Sequence, residues 1–390
     1  MPDLQGKDPG EGLTGEELAR VVALRHRLHA RPERGGTERD TARLLADFLD
    51  ALRPDRLLTG VGGTGLAALF EGTSPGPTVA FRAELDAVPV REEAALPYRS
   101  QNPGLAHACG HDGHAAIVAG LALRLAARRP ERGRTVLLFQ PAEETGEGAL
   151  RMLEDPSFAA WAPDWCFALH NLPGPALGTV LVRPGVFACA SVGVRVALNG
   201  ASSHAAHPEE ARSPAPVIAR LLEELPRIPA GFDFFSLVTV THARLGEPGF
   251  GVTPGEAELH LTLRAAGDEP LERLSAAVRE RLFALAREAG LEASIALREP
   301  FPALVNHPEA VQRVDRAAND LGLEVVAPPG PFRWSEDFGH FTARGRGAMF
   351  GIGAGLSTPP LHSPAYDFPD ALIPIGVRLF ETIRAHLPAA

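Results

Sequence analysis

The stretch His107-Ala108-Cys109-Gly110-His111-Asp112-Gly113-His114 puts three imidazoles, one thiol and one carboxylate into eight residues. Its two glycines let the backbone close around whatever those groups hold. Cys109 and His111 are two apart, so on an extended segment their side chains point the same way. A thiolate and an imidazole converging on one point suit a borderline-soft divalent ion such as zinc. The same residues taken alone also fit a polar loop with a buried cysteine. The rest of the chain favours the metal, because other candidate ligands recur at the ends of expected strands.

Residues 1 to 12 read as a loose polar tail. Thr14 with Glu17 forms a capping-box pattern, and Leu18, Val21, Val22 and Leu28 share one face of the helix that follows, interrupted by Arg25. Pro32 stops that helix, and a second fits 37–52. Leu66 to Phe70 and Thr78 to Ala83 are continuous apolar runs of the kind buried in a parallel sheet. A helix over 113–129 follows, with Asp112 placed as its N-cap. Strand 135–140 leads to the acidic turn Pro141-Ala142-Glu143-Glu144, a helix through 149–153 and a strand over 165–169 that ends at His170. This alternation predicts an α/β domain. Near Gly185 the pattern becomes β-α-β-β-α-β, with strands at 187–198, 236–242, 256–264 and 291–297 and helices at 213–225 and 271–289. That order predicts a ferredoxin-like α+β insert. The expectation is a discontinuous α/β domain over 1–186 and 299–390, with a second domain inserted over 187–298. A helix after Pro374 closes the chain.

Composition narrows the function. Of 390 residues, 45% are hydrophobic and 22% charged, the profile of a chain with ample core. The net charge of -10 and the absence of a basic patch argue against nucleic acid. The three cysteines, Cys109, Cys166 and Cys189, are too few for a disulfide framework and fit a reducing compartment. MPDLQGKDPGEG has no apolar signal-peptide core, and no apolar run is long enough to span a bilayer. A cytoplasmic location without membrane contact is expected.

Ligands of open α/β sheets bind outside the carboxyl ends of strands. Asp86, Glu143, Glu144 and His170 all follow or close expected strands. With Cys109, His111 and the late His362 they supply enough donors for two metal ions. Such pairs sit roughly 3.5–4 Å apart and clamp attacking and leaving oxygens. Two adjacent glutamates facing one cavity are costly unless a cation compensates. One can bind metal while the other acts as general base.

Four motifs, Arg82-Ala83-Glu84-Leu85-Asp86-Ala87-Val88-Pro89, the His107–His114 stretch, Phe139-Gln140-Pro141-Ala142-Glu143-Glu144 and Leu361-His362-Ser363-Pro364, resemble the amidohydrolase branch of the co-catalytic metallopeptidases. That branch includes N-acyl-amino-acid amidohydrolases, hippurate hydrolases and auxin-conjugate hydrolases. Leu28-His29-Ala30-Arg31-Pro32-Glu33 and Ser335-Glu336-Asp337-Phe338 extend the likeness over nearly the whole chain. The resemblance implies a metal-binding α/β domain interrupted by a lid. It implies five metal ligands, Cys109, His111, Glu144, His170 and His362. It also implies Glu143 as base and Asp86 as the carboxylate that orients a ligating group. His204, in Gly200-Ala201-Ser202-Ser203-His204, would reach the site and polarise the scissile carbonyl, from a partner subunit if the chain is a homodimer. His114 reads as structural or supporting.

The implied reaction is cleavage of an N-acyl or N-aroyl amino acid, or a small peptide, by a metal-activated water. The two ions would be zinc, manganese, cobalt or nickel. Dipeptidase or aminopeptidase-like action is the alternative. A non-catalytic metal-binding and ligand-binding relative would lack Glu143 or a ligand, and none is missing. Three features depart from the family pattern, one of them Ser202-Ser203 where a glycine commonly precedes the lid histidine. Glu84 stands where aspartate is usual, and Gly251-Val252-Thr253-Pro254 lacks the amide side chain that helps hold a substrate carboxylate.

Overall fold

A computed structural model describes residues 12–387. Nearly all of the expected N-terminal tail lies outside those residues. The first half of the chain runs α1 (Gly15–His29), α2 (Arg39–Asp50), β1 (Arg56–Val61), β2 (Gly65–Glu71), β3 (Ser74–Glu84), α3 (His111–Ala127), β4 (Arg132–Gln140) and α4 (Gly148–Glu154). It continues with β5 (Trp165–Pro173), β6 (Val180–Leu181), β7 (Gly185–Ala188), β8 (Ala190–Asn199), α5 (Ala215–Glu224), β9 (Ser236–Leu245), β10 (Glu256–Ala265), α6 (Asp268–Glu288) and β11 (Glu292–Phe301). β12 (Leu304–Asn306), α7 (Pro308–Asp320), β13 (Val325–Val326), α8 (Gly339–Thr342), β14 (Arg346–Gly355) and α9 (Leu372–Ala385) complete it.

The described residues form two compact units. One takes the chain up to Phe187, then Val305–Gly330, then Asp337 onward; the other takes Ala188–Leu304 and Pro331–Glu336. The first is mixed α/β. Among the described residues its large sheet runs β1-β2-β4-β3-β5-β14-β6-β13. β3 lies parallel to both β4 and β5, and β5 parallel to β14, so the carboxyl ends of these four strands open on the same side. The apolar run of β2 is buried as expected but pairs antiparallel with β1 and β4, not parallel. A continuous hydrophobic run reports cover on both faces, and a helix layer can cover an antiparallel strand as well. β1, too polar to stand out in the sequence, is that strand's outer neighbour.

α3 is buried on nearly every side, 14 of its 17 residues, because it packs against α1, α9 and the sheet. Its N-cap is Gly110 at φ 94°, not Asp112. The Asp112 carboxylate is instead directed to α1, where it pairs with Arg25 at 3.3 Å and His29 at 2.9 Å. This also explains why Arg25 sits on the buried face of α1. Asp367 and Asp370 complete its partners at 2.8 and 2.7 Å. Two boundaries differ from expectation. β5 continues through His170 to Pro173, and α9 begins at Leu372, so Pro374 falls in its first turn, where a missing N–H is tolerated.

The second unit runs β8-α5-β9-β10-α6-β11, its antiparallel sheet ordered β11-β8-β10-β9. The single strand expected over 187–198 is divided at Cys189 between β7 and β8. β10 alternates buried and partly exposed residues, so one face is covered. Val217, Ile218 and Leu221 of α5 and Leu274, Val278 and Leu282 of α6 share a core with Val194, Val196, Leu259 and Leu261. No helix among the described residues is long and apolar enough to cross a membrane.

Candidate metal centre

The site is built at the carboxyl ends of β3, β4 and β5. Asp86 follows β3 by two residues, the acidic turn begins directly after β4, and His170 lies within β5. Cys109 and His111 stand at the opening of α3, where left-handed Gly110 turns the chain into the helix. A Cβ at Gly110 would lie 2.3 Å from Asn171 Oδ1, so only glycine lets this corner sit against β5. His362 enters from the loop before α9, its N–H donating to the Ala108 carbonyl at 2.8 Å.

Six of the expected residues come together around the first unit's sheet. Cys109 Sγ lies 3.5 Å from His170 Nε2. His111 Nε2 lies 4.0 Å from Glu143 and 3.9 Å from Glu144. His362 Nε2 lies 3.6 Å from Glu144 Oε1. These contacts resolve into overlapping sets: Cys109, His111 and His170; Cys109, Glu144 and His362; His111, Glu143 and Glu144. Within each set the donor atoms lie within 4.8 Å of one another. Asp86 stands behind them. His111 Nδ1 donates to its main-chain carbonyl at 2.9 Å and lies 3.3 Å from Oδ1, while Oδ2 accepts from the Glu144 N–H at 2.9 Å. His204, the eighth expected residue, is in the second unit. It is exposed there, with Nδ1 accepting from the Ala206 N–H at 3.0 Å.

Electrostatics favour a cation. Burial opposes charge on His111, yet nearby Cys109 and the bond to Asp86 hold its pKa well above the ordinary histidine value. Nearby Cys109, then Glu144 3.6 Å away, raise His362 to about 10. Burial, with His114 beside it, pushes His170 down to about 3. The negative groups thus draw protons onto two imidazoles, a role that a divalent ion fills when it binds. Among the described residues, the buried atoms His111 Nε2 and Glu144 Oε1 have no hydrogen-bond partner. Orphaned buried polar atoms are rare, and these two are a nitrogen and an oxygen lone pair in one pocket. One thiolate, three imidazoles and one carboxylate fit a borderline divalent metal.

Several supporting contacts stand behind these groups. His114 Nδ1 pairs with Glu84 at 2.7 Å and its Nε2 with Asn171 Oδ1 at 2.6 Å. Glu84 also binds Arg82, and both partners outweigh burial to hold its carboxyl well below the usual range. Glutamate in place of the usual aspartate therefore still reaches its partners. Asp337 accepts from Gln140 Nε2, from Arg82 and from the Ala149 N–H, clamping both ends of the acidic turn. The Ser335-Glu336-Asp337-Phe338 motif was the only signal for it.

The profile of Peptidase family M20/M25/M40 matches residues 80–385. An N-acetyldiaminopimelate deacetylase of Enterococcus faecalis is 29% identical over 365 residues, covering 93% of this chain and 96% of that one. YhaA of Bacillus subtilis, named an amidohydrolase, is 31% identical over 356 residues, 89% of each chain. The solved structure of Bacillus subtilis YxeP, described as a dinuclear metal-binding peptidase, matches with a TM-score of 0.81 and 25% identity. That match covers 95% of this chain and 98% of that one.

Proposed function

The chain belongs to Peptidase family M20/M25/M40 and is a metal-dependent amide hydrolase, and from that premise we propose that it cleaves N-acyl or N-aroyl amino acids. The observation that carries the proposal is the buried, partnerless Nε2 of His111, about equally far from the carboxylates of Glu143 and Glu144. In this reading Cys109, His111, Glu144, His170 and His362 hold two divalent ions, and zinc, manganese, cobalt and nickel all suit the donors. When bound, the ions supply Lewis acidity, which acidifies water and polarises a carbonyl.

The chain's own groups do the rest. Asp86 takes the proton side of the His111 ring, which leaves the Nε2 lone pair free for metal. Its other oxygen fixes the Glu144 main chain. Glu143 accepts the proton of the attacking water and returns it to the leaving amine. We assign the inserted unit as a ferredoxin-like lid, with His204 polarising the scissile carbonyl from the partner subunit of a homodimer. The sheet of that unit ends in β9, an edge that can pair across a two-fold axis. A fully active monomer in sedimentation would remove both the dimer and that role of His204.

A relative named for deacetylating N-acetyldiaminopimelate supports a blocked amino acid as substrate. The test is a panel of N-acetyl amino acids, N-benzoyl amino acids and free dipeptides with metal-loaded protein. The blocked amino acids should be cleaved fastest. Faster cleavage of free dipeptides would replace this reading with a dipeptidase.

A further inference from the structure

Glu143 hangs from a turn whose backbone is under strain. Ala142, the residue before it, sits at φ 51°, in the left-handed region that side-chain-bearing residues avoid unless something holds them there. The holder is Glu38. This carboxylate is fully buried at the start of α2. Its Oε1 accepts from the Ala142 N–H at 2.8 Å and from the Gly36 N–H at 2.9 Å. Its Oε2 accepts from the Thr64 hydroxyl at 2.6 Å. Gly36 and Thr64 thus fix the carboxylate, and the carboxylate fixes Ala142. Gly35 closes the contact from the same loop, since a Cβ there would lie 3.1 Å from Ala142 Cα and 3.2 Å from Asp86 Oδ2. On the far side of Glu143, the Glu144 N–H is tied to Asp86. The base is therefore held between two anchored residues, Ala142 before it and Glu144 after it, by two carboxylates from distant parts of the chain.

We propose that Glu38 is a positioning residue for catalysis: by locking Ala142 in the left-handed conformation it aims the Glu143 carboxylate at the attacking water. The proposal rests on the reading of Glu143 as general base. Glu38 touches neither substrate nor metal in this account. It acts through the direction in which the backbone enters residue 143. Misplacement of a reacting group by an ångström can cost on the order of 10²-fold in rate.

The test uses the full chain, metal-loaded, with the blocked amino acid it cleaves fastest. Glu38→Ala should lower kcat by roughly ten- to a hundredfold while KM and metal content stay near wild type. Glu38→Gln keeps an oxygen that can accept from the Ala142 N–H, so its kcat should stay within a few-fold. Glycine adopts positive φ without a holder. Adding Ala142→Gly to Glu38→Ala should therefore recover part of the lost kcat, which a merely structural glutamate would not allow. If Glu38→Ala does not fold, Glu38→Asp keeps the charge but shortens the reach, and it should show the same loss and the same rescue. Unchanged kcat in Glu38→Ala, or in Glu38→Asp where that is the variant that folds, overturns the proposal. So does a loss that neither glutamine nor Ala142→Gly moderates. Glu143→Gln run alongside separates the two levels. If it collapses turnover while the Glu38 variants do not, only the positioning role falls. If it keeps turnover, the base assignment falls and the positioning role with it.

Discussion

Two neighbouring glutamates in one turn have different surroundings, and the difference is testable residue by residue. Glu144 shares a donor set with Cys109 and His362, and among the described residues no set joins Glu143 to either of them. Glu143→Gln should keep its metal and lose turnover by on the order of 10²–10⁴, the usual worth of a general base. Glu144→Gln should lose metal, with activity partly recovered by added ion. Metal analysis and turnover measured together decide it, and the opposite pattern reverses the assignment. The side chains that gather in the proposed metal pocket were legible in the sequence because their types and spacing are unusual. Glu38 and Asp337 were not. Their partners are backbone N–H groups 104 and 188 residues away, and such pairing leaves no local pattern.

At the scale of elements, α1 and α3 are stitched together by buried charge. Burial opposes a charge on His29, but the Asp112 carboxylate and bonds to Asp112 and Glu92 raise its pKa from 6.5 to about 10. The folded chain therefore binds a proton that the unfolded chain releases between those values. Stability from this group is full below about pH 6.5 and is lost as pH climbs toward 10. The melting temperature of His29→Gln should start lower than wild type near pH 6 and fall less steeply to pH 10. Parallel profiles would show that His29 carries no buried charge. The same contact explains one irregularity in the sequence and one misreading. Arg25 interrupts the apolar stripe of α1 because its partners, Asp112, Asp367 and Asp370, come from elsewhere in the chain. Asp112 has the residue type and position of an N-cap, but a buried arginine and histidine compete for it more strongly than a helix N–H. β2 shows a related limit, since hydrophobicity records burial and says nothing of strand direction.

For the molecule as a whole, the change from alternating strand and helix to β-α-β-β-α-β was legible, because each period spans enough residues to register. The six residues Pro331–Glu336, which belong with the second compact unit, are too few to carry any period. The proposed function requires that the first unit hold a pair of divalent ions on five side chains and be inactive without them. The most direct test strips the purified protein with a chelator and removes the chelator. Zinc or manganese is then titrated back while bound metal and amide hydrolysis are followed together. The stripped protein should show no turnover, and activity should return as binding approaches about two ions per chain. Full turnover in protein shown to be metal-free would contradict the proposed function.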